Sequence, residues 1–346
     1  MAPGRRAIAH IDRGEDNPCT HGEGAVALSK IGCLLAVLGL TVAGAARLEA
    51  GASDACDGTA KGANAPPIVK PELFAYDAKA DLGVQVAGTK TSGVALVKDV
   101  TFLARVDKPG ERTAAYVVAP VKPAASMAAI LWIHWLGEPA TTNRTQFLDE
   151  ATALASRGVV SVLVDTMWAK PRWYRDRVLE DDQANYIGQA VALRRGLDLL
   201  LAQPGVDPAR VAVVGHDYGA MHAALVAGVD PRPKAYVMVA ATASMLDWAF
   251  FYGKKPVSRE TYLAQHESIS LCDHLATAKV PAFLFQFAEQ DQYVTLARAQ
   301  ALFAATAGRK QMMVYGGAGH EMTAPPAIRL DRTAWLVREL SLPDVR

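Results

Sequence analysis

Cysteine is scarce in this sequence, with four in 346 residues. So few in so long a chain do not make a disulfide framework. Among Cys19, Cys33, Cys56 and Cys272 there is no CxxC pair, and no His/Cys cluster has zinc-like spacing, so neither metal nor organic cofactor is expected. Charge of one sign is missing too. Lys and Arg number 36 against 35 Asp and Glu, a formal net charge of +1, and the charges are scattered rather than blocked. No basic face is announced, which argues against nucleic acid as a partner. What is plentiful is apolar side chain: 51% hydrophobic against 21% charged, the balance of a globular protein with a substantial core.

A clear membrane span is also lacking. The nearest thing to one is Ile31 to Ala46 (IGCLLAVLGLTVAGAA), shorter than the about 20 residues a span requires. Lys30 and, further back, Arg5 and Arg6 precede it, and Ala43-Gly44-Ala45 offers a small-residue cleavage site. This reads as a secretory signal, so the expectation is export to the periplasm or the extracellular space. The leader ahead of it is long for a signal, and the alternatives are a start further downstream or an uncleaved membrane anchor at residues 31–46. Residues 1–50 are thus assigned to signal and leader, 51–72 (rich in Gly, Ala, Pro and Asp) to a flexible linker, and 73–346 to one folded domain. Cys56 and Cys272 could pair in an oxidising compartment, but nothing in the sequence brings them together, and the expectation is that they stay unpaired.

Within the domain, two strand patterns (93–104 and 112–120) meet at Lys108-Pro109-Gly110. Continuous apolar runs follow at 128–137, 158–165, 211–216, 234–241, 281–289 and 310–317, each the mark of a strand buried on both faces. Helical patterns alternate with them at about 145–157, 183–203, after 217, 295–307 and 326–340. The implied fold is α/β: a mostly parallel, doubly wound sheet of about eight strands with helices on both faces. Residues 242–280, long and aromatic, interrupt the rhythm and are read as a short lid-like insertion.

Three residues fall at the carboxyl edge of that sheet, where such folds place their sites. Asp217 lies in VAVVGHDYGAM, a strand-to-helix turn with the outline G-x-S-x-G but aspartate at the serine position. Asp291 follows one strand in AEQDQ, and His320 follows the last in GGAGHEM. Glu289 is the alternative acid. His134, His216 and His222 read as structural, with His216 pointing away from Asp217 by strand alternation. Glu138 and Glu321 read as solvated loop carboxylates. The bland reading of Asp217 is a degenerate elbow whose carboxylate caps the following helix.

The HWLG loop, the segment VDPARVAVVGHDYGAM, the AEQDQ turn and GAGHEM together resemble the α/β-hydrolase superfamily, and within it dienelactone hydrolase-type proteins, over residues 73–342. The resemblance implies an Asp217–Asp291–His320 triad, with the nucleophile in first place and His320 as general base held by Asp291. It also implies an oxyanion hole made by the N–H of Tyr218 and that of Trp135 or Leu136. The reaction it implies is hydrolysis of a small ester or lactone. Aspartate at the elbow raises a second reaction, attack on an sp³ carbon as in epoxide hydrolases and dehalogenases, whose Gly-His-Asp-x-Gly this sequence matches. A non-catalytic ligand-binding homologue is the third possibility. Trp168, Tyr252 and Tyr262 are candidate pocket residues for a leaving group, with lid packing as their bland reading. The expected partner is a small-molecule substrate, and the oligomeric state is left open.

Overall fold

The computed structural model describes Cys56 and residues 66–140, 142–249 and 258–343. Contacts divide the chain into two units, Met1–Leu48 and Glu49–Arg346, and every described residue belongs to the second. The apolar run 31–46 with its leader, Cys19, Cys33, most of the linker and Tyr252 lie outside the described residues.

One sheet organises the second unit. Its strands are β1 (Gln85–Ser92), β2 (Ala95–Phe102), β3 (Thr113–Pro120), β4 (Met127–Ile133), β5 (Val159–Val164), β6 (Val206–His216), β7 (Ala235–Val239), β8 (Ala282–Ala288) and β9 (Arg309–Tyr315). They lie in the order β1-β2-β3-β5-β4-β6-β7-β8-β9. The pairings β1–β2, β2–β3 and β3–β5 are antiparallel, and all those beyond β5 are parallel. The expected doubly wound α/β-hydrolase sheet is therefore present, with nine strands rather than about eight. The additional strand is β1 (QVAGTKTS), in which seven of eight positions are exposed. It has no apolar alternation to announce it, and it is recruited by its pairing with β2.

The helices among the described residues are α1 (Leu148–Ala155), α2 (Trp173–Asp176), α3 (Asp182–Leu201), α4 (Tyr218–Val229), α5 (Leu246–Ala249), α6 (Arg259–Gln265), α7 (Leu271–Thr277), α8 (Leu296–Ala305) and α9 (Ala327–Glu339). β4, β5, β7 and β8 are buried at every position, which requires cover on both faces. Side-chain alternation supplies it. Leu131 and Ile133 of β4 belong to one core cluster with residues of α3, α4, α7 and α8, whereas Ile130 and Trp132 belong to another with residues of α1 and α9.

The insertion at 242–280 is less of a lid than expected. Its last helix, α7, buries Leu271 and Leu275 completely and packs on α4, so it belongs to the cover of the sheet. Among the described residues of the insertion, Trp248 borders a cleft. α7 also corrects the expectation for the cysteines: Cys56 and Cys272 form a disulfide across 216 residues of sequence, with Cα atoms 5.8 Å apart. The pairing was invisible because its proximity comes from α7 docking on α4, a tertiary contact with no local signature. The N–H of Ile68 donates to Asp273 Oδ2 at 2.9 Å, a second fastening of the linker to this helix.

Candidate active site

β6 ends at His216 and α4 begins at Tyr218, so Asp217 alone makes the turn. Its backbone sits at φ 51° and ψ −117°, a left-handed conformation that a residue with a β-carbon adopts only under constraint. The flanking glycines allow it. A β-carbon on Gly215 would lie 2.7 Å from Ala220, and one on Gly219 would lie 2.5 Å from the carbonyl oxygen of His134. Asp217 occupies the N-cap of α4, yet its side chain makes no capping hydrogen bond. The bland reading of this residue as a helix cap is thereby excluded.

The carboxylate turns the other way, into the site. Asp217 is fully buried. Its Oδ2 accepts the N–H of Leu136 at 3.1 Å, and its Oδ1 faces His320 Nε2 at 3.6 Å. His320 Nδ1 in turn donates to Asp291 Oδ2 at 2.8 Å. Asp291 Oδ1 accepts the N–H groups of Tyr293 (2.7 Å) and Val294 (2.9 Å). Three loops, after β6, β8 and β9, thus deliver the three expected residues to one point, whereas Glu289 is exposed and is not the acid that holds His320. Burial opposes charge on His320, but Asp217 and Asp291 outweigh it and hold its pKa up at about 10, so the ring is a cation at neutral pH. Burial likewise opposes charge on Asp291. There His320 and the two backbone donors prevail and keep the carboxyl below its usual range.

Of the two candidate oxyanion donors after β4, the structure selects Leu136. The N–H of Trp135 is taken by Gln146 Oε1 at 2.9 Å. The Trp135 carbonyl and the Leu136 N–H belong to one planar peptide and point in opposite directions. That carbonyl is clamped by two donors, His134 Nδ1 at 2.9 Å and Trp168 Nε1 at 3.0 Å. The clamp aims the Leu136 N–H at Asp217. Trp168 is therefore not positioned to donate to a leaving group, since its indole N–H is spent on the loop. Tyr218 is the first residue of α4, where an N–H has no acceptor within the helix. Its ring is buried edge-on against Trp168, with centroids 4.9 Å apart.

Tyr262 is a second correction. Its hydroxyl donates to Asp182 Oδ2 at 2.8 Å, and Asp182 is ion-paired with buried Arg177 at 3.0 Å. It packs with Ala249 and Leu263 and does not line the cleft beside His320. Its polar partner lies on α3, out of reach of a pattern read along the chain.

A residue that sequence reasoning missed is Gln146. Its Nε2 lies 2.6 Å from His216 Nδ1, and His216 Nε2 lies 3.0 Å from the carbonyl oxygen of His320. Because that carbonyl can only accept, His216 must carry its proton on Nε2 and accept from Gln146 through Nδ1. The result is a one-way chain: Trp135 N–H to Gln146, Gln146 to His216, His216 to the His320 carbonyl. His216 stacks on Trp135 at 5.3 Å, so it lies against the site rather than away from it. Burial, aided by the nearby charge of His320, drops its pKa to about 3 and keeps it neutral and structural, as expected. His134 and His222 are buried and neutral for the same reason of burial, at about 4 and about 3.

A cleft of about 560 Å³ opens in front of Leu136 and His320. No group of three or more His, Cys, Asp or Glu that could hold a metal ion occurs among the described residues. No helix of the described residues is long and apolar enough to cross a membrane.

Comparison with known proteins agrees on the architecture. The acetyl xylan esterase from Paenibacillus sp. R4 superposes with a TM-score of 0.63 at 19% identity, covering 79% of this chain and 97% of that one. Acetyl xylan esterase 1 from Thermoanaerobacterium sp. JW/SL YS485 gives 0.61 at 14% identity, over 78% and 91%. A putative dienelactone hydrolase from Klebsiella pneumoniae subsp. pneumoniae MGH 78578 gives 0.52 at 15% identity, over 71% and 98%. At these identities the likeness is one of fold. No curated protein matches the sequence. The profile of the prolyl oligopeptidase family matches residues 145–341, from the loop before α1 through α9. Its span takes in the elbow, the acid and the histidine, and covers more than half of the sequence: the chain belongs to the prolyl oligopeptidase family within the α/β-hydrolase superfamily, and is a hydrolase.

Proposed function

We propose that this hydrolase cleaves a small electrophile at an sp³ carbon, an epoxide or a halo-acid, through a covalent ester of Asp217. The observation that carries the reading is the bond from the Leu136 N–H to Asp217 Oδ2. In acyl transfer by a hydroxyl nucleophile, the oxyanion hole must receive the carbonyl oxygen of the substrate. Here the enzyme's own carboxylate oxygen fills that place. The carbonyl whose charge this N–H is poised to stabilise is therefore that of an Asp217 ester.

The steps follow from the geometry. Asp217 Oδ1 attacks carbon, and the carbon–leaving-group bond breaks with its electron pair going to the leaving group. His320 gives up its proton, to the opened epoxide oxygen or, when a halide leaves, to solvent. As the neutral imidazole it then takes a proton from water, and the hydroxide adds to Cγ of Asp217. Negative charge develops on Oδ2, beside the Leu136 N–H. Collapse breaks the Cγ–Oδ1 bond, and His320 returns its proton to the departing alcohol. The charge state of His320 fits this order. Esterification removes the negative charge of Asp217 from beside the imidazolium, and the loss of that partner lowers its pKa toward the range of a working base.

Hydrolysis of an acyl ester or lactone is the second reading, favoured by the acetyl xylan esterases among the structural neighbours. It requires the substrate carbonyl to displace Asp217 Oδ2 and gives a mixed anhydride. One experiment separates the two. The full chain is screened against esters, lactones, epoxides and halo-acids, and any hit is run for a single turnover in heavy-oxygen water. The expected result is turnover of an epoxide or halo-acid, one heavy oxygen in the Asp217 peptide, an unlabelled oxygen in the product alcohol, and no turnover by Asp217→Ala. Turnover without label that survives Asp217→Ala overturns the nucleophile assignment. Binding without turnover of any class supports the non-catalytic homologue instead. Export remains part of the proposal, supported by the Cys56–Cys272 disulfide, a bond suited to an oxidising compartment.

A further inference from the structure

We propose that the electrophile attacked by Asp217 carries a planar aromatic group, held against the tryptophan-lined cleft in front of His320. The inference rests on the reading above for the location of the reaction, and adds the class of substrate. Six of the sixteen described residues lining the cleft are Trp or Tyr: Trp135, Trp168, Trp173, Tyr174, Trp248 and Tyr293. Aromatic residues make up only 7% of the chain, and four of its six tryptophans stand here. They arrive from four separate connections, after β4, β5, β7 and β8. No single packing need of one loop accounts for such a gathering.

Their arrangement is that of a wall, buried at the back and partly accessible in front. Trp135, Tyr293 and Trp248 ring His320, with centroids 5.8, 4.8 and 6.0 Å from the imidazole. Trp168 and Trp248 are buried and form the back of the wall. Trp135 and Trp173 are only half-buried, and Tyr293 is 40% exposed. Rings that served solely to pack the insertion would be covered, whereas Trp135, Trp173 and Tyr293 keep accessible surface beside a space large enough for a drug-sized molecule. Two of the cations at the rim are already matched. Lys170 pairs with Glu111 at 2.8 Å, and Arg172 with Asp176 at 2.9 Å. Recognition therefore falls to the aromatic faces rather than to those cations.

The test reads binding without needing turnover. Isothermal titration calorimetry on the full chain compares a naphthyl ethanediol, the diol of an aryl epoxide, with a straight-chain octanediol. The expected result is about tenfold tighter binding of the aryl diol, with Trp173→Leu weakening it by about fivefold and leaving the octanediol unchanged, the scale of one or two aromatic contacts. Equal affinities, preference for octanediol, no aryl binding at millimolar concentration, or equal weakening of both ligands by Trp173→Leu would each overturn the proposal. If the variant does not fold, the comparison of the two diols on the unaltered chain decides alone. Aryl preference without heavy-oxygen labelling of Asp217 retains this inference and refutes the reaction. Labelling with an aliphatic epoxide and no aryl preference does the reverse.

Discussion

Asp217 is held by its backbone in a strained turn and by its side chain between a fixed N–H and a charged ring. Each neighbour has a measurable task. Removing the charge of Asp291 leaves His320 with a neutral partner on Nδ1, so Asp291→Asn should lower the His320 pKa and reduce kcat by about a hundredfold or more. Histidine NMR titration of the free protein checks the first effect, and steady-state rates check the second. A pKa of His320 that stays near 10 in the variant would contradict the geometry. Trp168 acts at one remove. Trp168→Phe keeps a ring in the core but releases one of the two donors clamping the Trp135 carbonyl. The Leu136 N–H should then be less well aimed, and kcat should fall by about tenfold, a fraction of the loss when an oxyanion donor is deleted outright. A change in KM alone would show that Trp168 only lines the cleft.

At the scale of elements, the chain from Trp135 through Gln146 and His216 to His320 ties the loop after β4 to the loop after β9, across the end of β6. Gln146→Leu leaves the Trp135 N–H and His216 Nδ1 without partners and should cost about tenfold in kcat. Gln146→Glu retains the acceptor for Trp135 but sets a carboxylate against His216 Nδ1. His216 must then hold a second proton, in an environment that also contains His320, Asp291 and Arg332. Activity of this variant should therefore fall as pH rises through the His216 pKa, a limb absent from the unaltered enzyme. The buried strands and the order of elbow, acid and histidine were legible because burial on both faces leaves uninterrupted apolar runs, and because the elbow needs Gly215 and Gly219. Gln146 was not legible. A polar residue just ahead of α1 looks like any solvated loop residue until β4 and β6 are set side by side. For the same reason Tyr262 was misjudged, and β1 passed unseen because its register comes from β2 rather than from its own pattern.

The whole molecule carries two further signatures. Cys56–Cys272 closes a loop of more than two hundred residues onto α7, so reduction, or Cys272→Ser, should cost about 2–4 kcal/mol of stability. Thermal unfolding with and without reductant measures it, and an unchanged midpoint would mean the bridge constrains nothing. The buried histidines set the pH response. His134, His216 and His222 have folded pKa values of about 4, 3 and 3, below the unfolded value near 6.5. Their contribution is complete above about pH 6.5 and is lost as pH falls from there toward 3, by up to about 1.4 kcal/mol per histidine per unit. His320 runs the opposite way: its contribution is complete below about 6.5 and is lost as pH rises toward 10. Melting temperatures should therefore peak near neutrality and drop by at least about 5 °C at pH 4.5. The bond from Leu136 to Asp217 has a last consequence, for how such a protein is noticed in a mixture of others. Phosphonate and boronate reagents that tag hydrolases seek a hydroxyl nucleophile beside an empty anion pocket. With Asp217 as the proposed nucleophile, this site offers neither, and the protein should pass through a serine-directed labelling experiment untouched.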